Sequence, residues 1–254
     1  MKQTMVRWLA LLLCATMCAG GMRVARAEEP VSFPMPEGPE ESEVFVAPIP
    51  DLADDFIRGM DASSVLVEEA SGVKYYNFEG EEQDVFMTLA QAGVNYIRLR
   101  VWNDPYNENG NGYGGGNNDV AKAIEMGQRA TKYGMKVCID FHYSDFWADP
   151  KRQHAPKAWA GMTLDEKTDA LHAFTAESLT AMLNAGVDVG MVQVGNEINN
   201  GMSGETTIPA VMQLLAAGSR AVREVSAACE GCRRPAFARG RAGCLFARRI
   251  FAME

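Results

Sequence analysis

The sequence predicts an α/β fold, the first four βα units of a (β/α)8 TIM barrel. Three observations carry this expectation. From Phe56 onward, short β-rich apolar runs alternate with amphipathic helical stretches, an order that signals a parallel sheet. Three junctions, Ala92-Gly93-Val94, Tyr133-Gly134-Met135 and Ala185-Gly186-Val187, place a glycine between the end of a helix and the start of a strand, where a left-handed residue closes the last helical turn. Each apolar run also turns polar at its C-terminal end.

The first strand is expected over 56–62. Its helix runs from about Glu81 to Ala92, with Val85, Phe86 and Leu89 on one face. The second strand covers 94–102 and leads through the glycine- and asparagine-rich loop 103–118 into a helix from about Asp119 to Tyr133. The third strand, 135–143, precedes a helix that opens on the capping box Thr163-Leu164-Asp165-Glu166 and runs to Ala185. The fourth strand spans about 188–195, and a helix with Pro209 in its first turn follows from Ile208 to Val225. Four units occupy about 170 residues, so eight would need about 340. The expectation is that 54–225 is the N-terminal half of a barrel whose other four units lie outside this sequence.

Residues 1–27 read as a signal peptide. Lys2 and Arg7 supply positive charge, 8–17 an apolar core, and Ala25-Arg26-Ala27 a small-x-small cleavage site. The core is shorter than the ~20 residues a spanning helix needs, so the chain is expected to be secreted, extracellular or periplasmic, with no membrane association after cleavage. Residues 28–53 form an acidic, proline-rich linker of a composition that cannot order itself. The segment 226–254 is different in kind. It is rich in Ala, Arg, Gly and Cys, lacks Lys and shows no helical or strand period. Such residues are drawn from GC-rich codons, as a shifted reading frame would supply, and the segment is expected to be foreign to the fold.

The formal charge of −9 argues against nucleic acid or anionic membranes as partners, since a phosphate-reading surface needs clustered Lys and Arg. A neutral glycan meets no such objection. Cys138, in the run Val137-Cys138-Ile139, reads as a small core residue. Cys229, Cys232 and Cys244 offer three thiols with no histidine following, short of the four ligands of structural zinc. His154 and His172 have no metal-ligand spacing with His142, and Asn107-x-Asn109-x-Asn111-Gly112 lacks the carboxylates of a calcium loop. No metal is expected, and the asparagine run reads as a shaped cleft wall.

In a parallel barrel the active site is built at the C-terminal ends of the strands. Those ends carry Asp61, Arg100-Val101-Trp102-Asn103, Asp140-Phe141-His142-Tyr143 and Gly195-Asn196-Glu197. Sugar clefts need aromatic faces and polar groups for hydroxyls; Trp102, Trp147 and Trp159 supply the former. Glycosidic cleavage needs two carboxyl groups across the bond, and Glu197 is the one evident candidate. A lone glutamate after a strand is ordinarily a helix cap or a surface charge, but Asn196 beside it, in an apolar strand, favours catalysis because an asparagine there can bond a sugar 2-hydroxyl. Arg98 and Arg100 share a strand face; Arg98 is balanced between ion pairing to Asp61 or Asp140 and substrate binding, whereas Arg100 lies nearer the rim. His142 alternates with Asp140, which puts both on the face toward the rim. The substrate-binding candidates are thus Asp61, Arg100, Trp102, His142, Trp147 and Asn196.

Phe56-Ile57-Arg58-Gly59-Met60-Asp61, Gly93-Val94-Asn95-Tyr96-Ile97-Arg98-Leu99-Arg100-Val101-Trp102-Asn103, Asp140-Phe141-His142-Tyr143-Ser144-Asp145-Phe146-Trp147-Ala148-Asp149-Pro150 and Val192-Gln193-Val194-Gly195-Asn196-Glu197 together resemble family fifty-three of the glycoside hydrolases, the arabinogalactan endo-β-1,4-galactanases. The resemblance runs from about Asp54 to Glu224. It implies retaining hydrolysis of galactan or type I arabinogalactan, with Glu197 as general acid and then base and Asn196 holding the reacting sugar. It further implies a glutamate nucleophile at the end of strand seven, absent from this sequence, and no cofactor in this chain; the calcium of some family members would fall in the half not present. The chain is accordingly expected to be inactive alone. The alternative is a noncatalytic galactan-binding remnant.

Overall fold

A computed structural model of the chain describes residues 49–53 and 55–229; the expected signal peptide, most of the expected linker, and Cys232 and Cys244 lie outside them. The elements run β1 (Gly59–Asp61), α1 (Val65–Ala70), α2 (Val85–Gln91), β2 (Tyr96–Val101), α3 (Val120–Lys132), β3 (Lys136–Phe141), α4 (Leu164–Asn184), β4 (Val189–Val194) and α5 (Ile208–Ala228), with 3-10 turns at Lys157–Trp159 and Ile198–Asn200. The four strands pair in parallel in chain order, the succession that consecutive βα units produce.

The helix ends follow from local chemistry. Gly93, Gly134 and Gly186 all take φ near +80°. After each, the next residue's N–H reaches back to close the helix: Val94 donates to the Leu89 carbonyl, Met135 to Ala130 and Val187 to Met182, each at 3.0–3.1 Å. The starts are capped by Asp84, Asp119, Thr163 and Thr207 side chains. At Thr163 the capping box is complete, with the Glu166 carboxylate accepting the Thr163 N–H at 2.7 Å.

Two faces of the sheet divide the labour. Ile97, Leu99, Val101, Val137, Ile139 and Phe141 are fully buried against the helices in one core with Phe86, Met126, Leu171 and Leu214. The alternate positions, Arg98, Arg100, Cys138, Asp140 and Gln193, form the inward face. Cys138 is therefore only half-buried and sits on the polar inward side rather than in the apolar core, where burial first, and the nearby Asp140 carboxylate second, push its thiol up to about 11. Close approach explains two glycines. A Cβ on Gly218 would stand 2.6 Å from Val194 and 3.1 Å from both Leu171 and Tyr143, where α5 crosses β4 and α4. One on Gly190 would stand 2.6 Å from the Tyr96 hydroxyl, at the point where the β3–β4 register shifts by a bulge.

Several elements depart from the expected bounds. β1 is three residues long, because the Asn95 side chain takes over the ladder before it, accepting the Arg58 N–H at 2.8 Å and donating to the Phe56 carbonyl at 2.9 Å. α1 was not foreseen. The helix expected from Glu81 begins at Val85, since Glu82 pairs back with Tyr76 in a small hairpin closed by Asn77. α5 extends through Ser226, Ala227 and Ala228, so the segment expected to be foreign from residue 226 contributes three residues to the last helix.

Candidate active site

Register, rather than sequence proximity, gathers the rim. Asp61 lies beside Arg98, Arg100 beside Asp140, and Asp140 beside Gln193. From β2, Arg98 reaches β1, β3 and the segment after β4: it donates to Asp61 Oδ2 at 2.5 Å, to Asp140 Oδ2 at 2.6 Å and to Asn196 Oδ1 at 3.0 Å. Of the two roles open to Arg98 from sequence, ion pairing within the barrel is thus realised. Burial opposes its charge, but Asp140 and Asp61 raise its pKa on balance. Burial likewise opposes ionisation of Asp61; the Ser63 N–H, donating at 3.0 Å, with the Ser63 hydroxyl, Arg100 and Arg98, nevertheless holds that carboxyl below its ordinary 3.8. Arg100, by contrast, has its guanidinium pKa lowered, burial outweighing the pull of Asp61.

His142 joins this ion network to the cleft wall. Its Nδ1 receives two N–H groups, from Trp102 Nε1 at 3.1 Å and from the Ala148 backbone at 3.0 Å. That nitrogen must therefore be the acceptor, and the ring proton sits on Nε2, donated to Asp140 Oδ2 at 3.0 Å. With the ring buried, neither nitrogen is left over for a sugar hydroxyl. His142 serves the site by orienting Trp102 and the segment around Ala148.

The aromatic residues separate by depth. Trp102 is 0% exposed, enclosed by Phe146, Trp147 and His142 at ring separations of 5.0, 5.8 and 6.1 Å. Trp159 is buried as well, whereas Trp147 is 37% exposed. Of the three tryptophans expected as sugar platforms, only Trp147 offers open surface, and the Arg100 guanidinium braces its ring at 4.2 Å. Beside it, Asp145 accepts the backbone N–H groups of Asp104 and Lys157, and Lys157 donates to the carbonyls of Asp104 and Tyr106 at 2.7 Å. These contacts fasten the loop after β2 to the loop after β3. The asparagine run is a hairpin within the former, its turn closed by Asn107 Oδ1 accepting from the backbone of Asn109 and Asn111.

Glu197 follows β4 in a left-handed conformation, φ +48° and ψ +47°. That backbone is uncommon for a non-glycine residue and costs of order 1 kcal/mol. Its side chain is exposed, and among the described residues it makes no ion pair, unlike Asp61 and Asp140. Asn196 is buried: Nδ2 donates to the Ala148 carbonyl at 2.8 Å, and Oδ1 accepts from Arg98 and Gln193. Sequence reasoning missed Gln153, whose amide donates to the carbonyls of Asn196 at 2.9 Å and of Glu197 and Asp149 at 3.1 Å. Nothing in the sequence signals a side chain whose partners are backbone carbonyls far along the chain. Among the described residues, no group of three His, Cys, Asp or Glu side chains gathers as metal ligands, and no helix is long and apolar enough to cross a membrane.

Comparison with known proteins identifies this arrangement. The family model for glycosyl hydrolase family 53 matches residues 57–230. The chain belongs to glycosyl hydrolase family 53. An endo-beta-1,4-galactanase of Bacillus subtilis (strain 168) is 57% identical over 184 residues, covering 72% of this chain and 43% of that protein. An arabinogalactan endo-beta-1,4-galactanase of Humicola insolens is 38% identical over 145 residues, 57% of this chain and 41% of the relative. Among solved structures, the family 53 catalytic domain of Ignisphaera aggregans superposes with a TM-score of 0.70 at 44% identity, over 72% of this chain and 52% of that one. A structure from a study of two fungal beta-1,4-galactanases gives a TM-score of 0.61 at 35% identity, over 67% of this chain and 50% of that one. The family 53 chain described here thus spans less than half the length of these two curated relatives. Its parallel sheet alternating with helices corresponds to part of the family's (β/α)8 barrel.

Proposed function

We propose that this family 53 chain carries the acid/base half of an exported endo-β-1,4-galactanase, acting on galactan or type I arabinogalactan. The observation that carries the reading is Glu197: an exposed carboxylate with no ion pair among the described residues, held in a left-handed backbone after β4 beside the buried Asn196. Retaining cleavage needs one carboxyl to protonate the leaving oxygen and a second to attack the anomeric carbon. Glu197 is the acid and then the base. Asn196 supports the reacting sugar through its remaining amide N–H; Asp61 and Arg100 line the cleft floor, and Trp147 stacks on a pyranose, with Trp102 and His142 behind it.

The nucleophile is a glutamate on strand seven of the barrel. Asp61 and Asp140, the other carboxylates at these strand ends, are both tied up in ion pairs with Arg98, which favours a second reading, that the 254-residue chain binds galactan without cleaving it. Isothermal titration of the chain with β-1,4-galactan, with xylan as control, tests the substrate class. Galactan binding is expected, and Trp147→Ala should weaken it by about 1 kcal/mol, roughly fivefold. Equal binding of xylan and galactan, or no effect of Trp147→Ala, would count against the assignment.

A further inference from the structure

We propose that Gln153 is the positioning residue of the catalytic corner, holding the Asn196-Glu197 backbone in the conformation that aims the Glu197 carboxyl. The inference rests on the reading of Glu197 as acid/base. Three carbonyl oxygens, from Asp149, Asn196 and Glu197, converge on the single Gln153 amide nitrogen. An amide turned the other way would set its own oxygen against all three, so the nitrogen's placement follows from the partners. Glu197 needs such support, because its left-handed φ persists only when its surroundings over-determine it.

The contact is the centre of a wider clasp between the loop after β3 and the loop after β4. Asn196 Nδ2 donates to the Ala148 carbonyl at 2.8 Å, and Asn200 Nδ2 to the Pro150 carbonyl at 2.9 Å. The Gly204 N–H donates to the Gln153 carbonyl, and Ser203 Oγ to the Tyr143 carbonyl at 2.9 Å. Of these, only Gln153 holds the carbonyls of both peptides that flank the Glu197 Cα. Because the Ala148 N–H also donates to His142, the same loop ties Glu197 to the Arg98–Asp140–His142 network, so corner and cleft floor are fixed against one segment.

The test uses the full chain and Gln153→Met, which keeps the side chain's length and removes the donor. Amide hydrogen exchange at 196–200 should rise about tenfold, the factor expected when a pair of neutral hydrogen bonds is lost, with exchange in α4 unchanged. The Glu197 side-chain carboxyl resonance, followed by carbon-13 NMR at one fixed pH, should move in Gln153→Met but not in Gln213→Met, which removes an amide donor to Asp165 and Thr168 on the outer helices. Gln153→Glu supplies a second readout: a protonated carboxyl donates and an ionised one does not, so exchange at 196–200 relative to wild type should climb as pH rises through the glutamate range. Wild-type amides at 196–200 that are already unprotected, exchange that rises equally in α4, or an unmoved Glu197 carboxyl resonance would overturn the assignment. Failure of galactan binding with these responses intact would count against the substrate reading instead.

Discussion

Arg98 shows how one side chain can serve as scaffold for a site it does not itself perform chemistry in. It meets a fully buried carboxylate, a half-exposed one and the amide of Asn196. Arg98→Met would leave Asp140 buried with only His142 as partner, and breaking a buried pair from one side is costly. Urea unfolding should show a loss of about 3 kcal/mol, part of it recovered when Asp140→Asn is added. Asp61 gives a pH dependence with a defined sign. Its folded-state pKa lies below the ordinary 3.8, so its contribution is present above that value and is lost as pH falls through the folded-state pKa. Asp61→Asn should therefore flatten the fall in melting temperature below about pH 4; an unchanged slope would mean that the pairing with Arg98 and Ser63 adds nothing in solution. The pairing of Arg98 with acids was visible in sequence as one of two alternatives, because alternation puts it on the Asp140 side of the sheet. The burial of Trp102 was not: it depends on Phe146 and Trp147 folding over it from a different loop.

At the scale of elements, helix ends were the most legible features. Glycine after α2, α3 and α4 and Thr163 three residues before Glu166 are local signals, and local hydrogen bonds execute them. Strand ends were harder to read, because a strand exists only where a neighbour pairs with it; β1 is short since Asn95 substitutes for the ladder before Gly59. The role of Gly218 was likewise hidden, since it arises from the crossing of α5 over β4. On helix propensity alone, Gly218→Ala would stabilise by about 1 kcal/mol. The 2.6 Å approach to Val194 makes overpacking the larger effect, and a net loss of roughly 1–2 kcal/mol is expected in thermal or urea denaturation. A gain in stability would show that α5 can move away from the sheet at little cost.

For the whole molecule, the sheet has β1 and β4 at its edges, and the chain covers 43% and 41% of the lengths of two galactanase relatives. The inward strand faces supply the Arg98 network and the segment after β4 supplies Asn196 and Glu197, while the proposed two-carboxylate mechanism demands one group more. That requirement sets the most direct test. Residues 28–225 would be joined to the portion of the Bacillus subtilis galactanase that this chain does not cover, and reducing-end release from β-1,4-galactan measured beside Glu197→Gln in the same hybrid. The account predicts galactanase activity in the hybrid, reduced about 10²- to 10⁴-fold by Glu197→Gln. A folded hybrid whose activity survives that substitution would contradict the assignment of Glu197 as the acid/base.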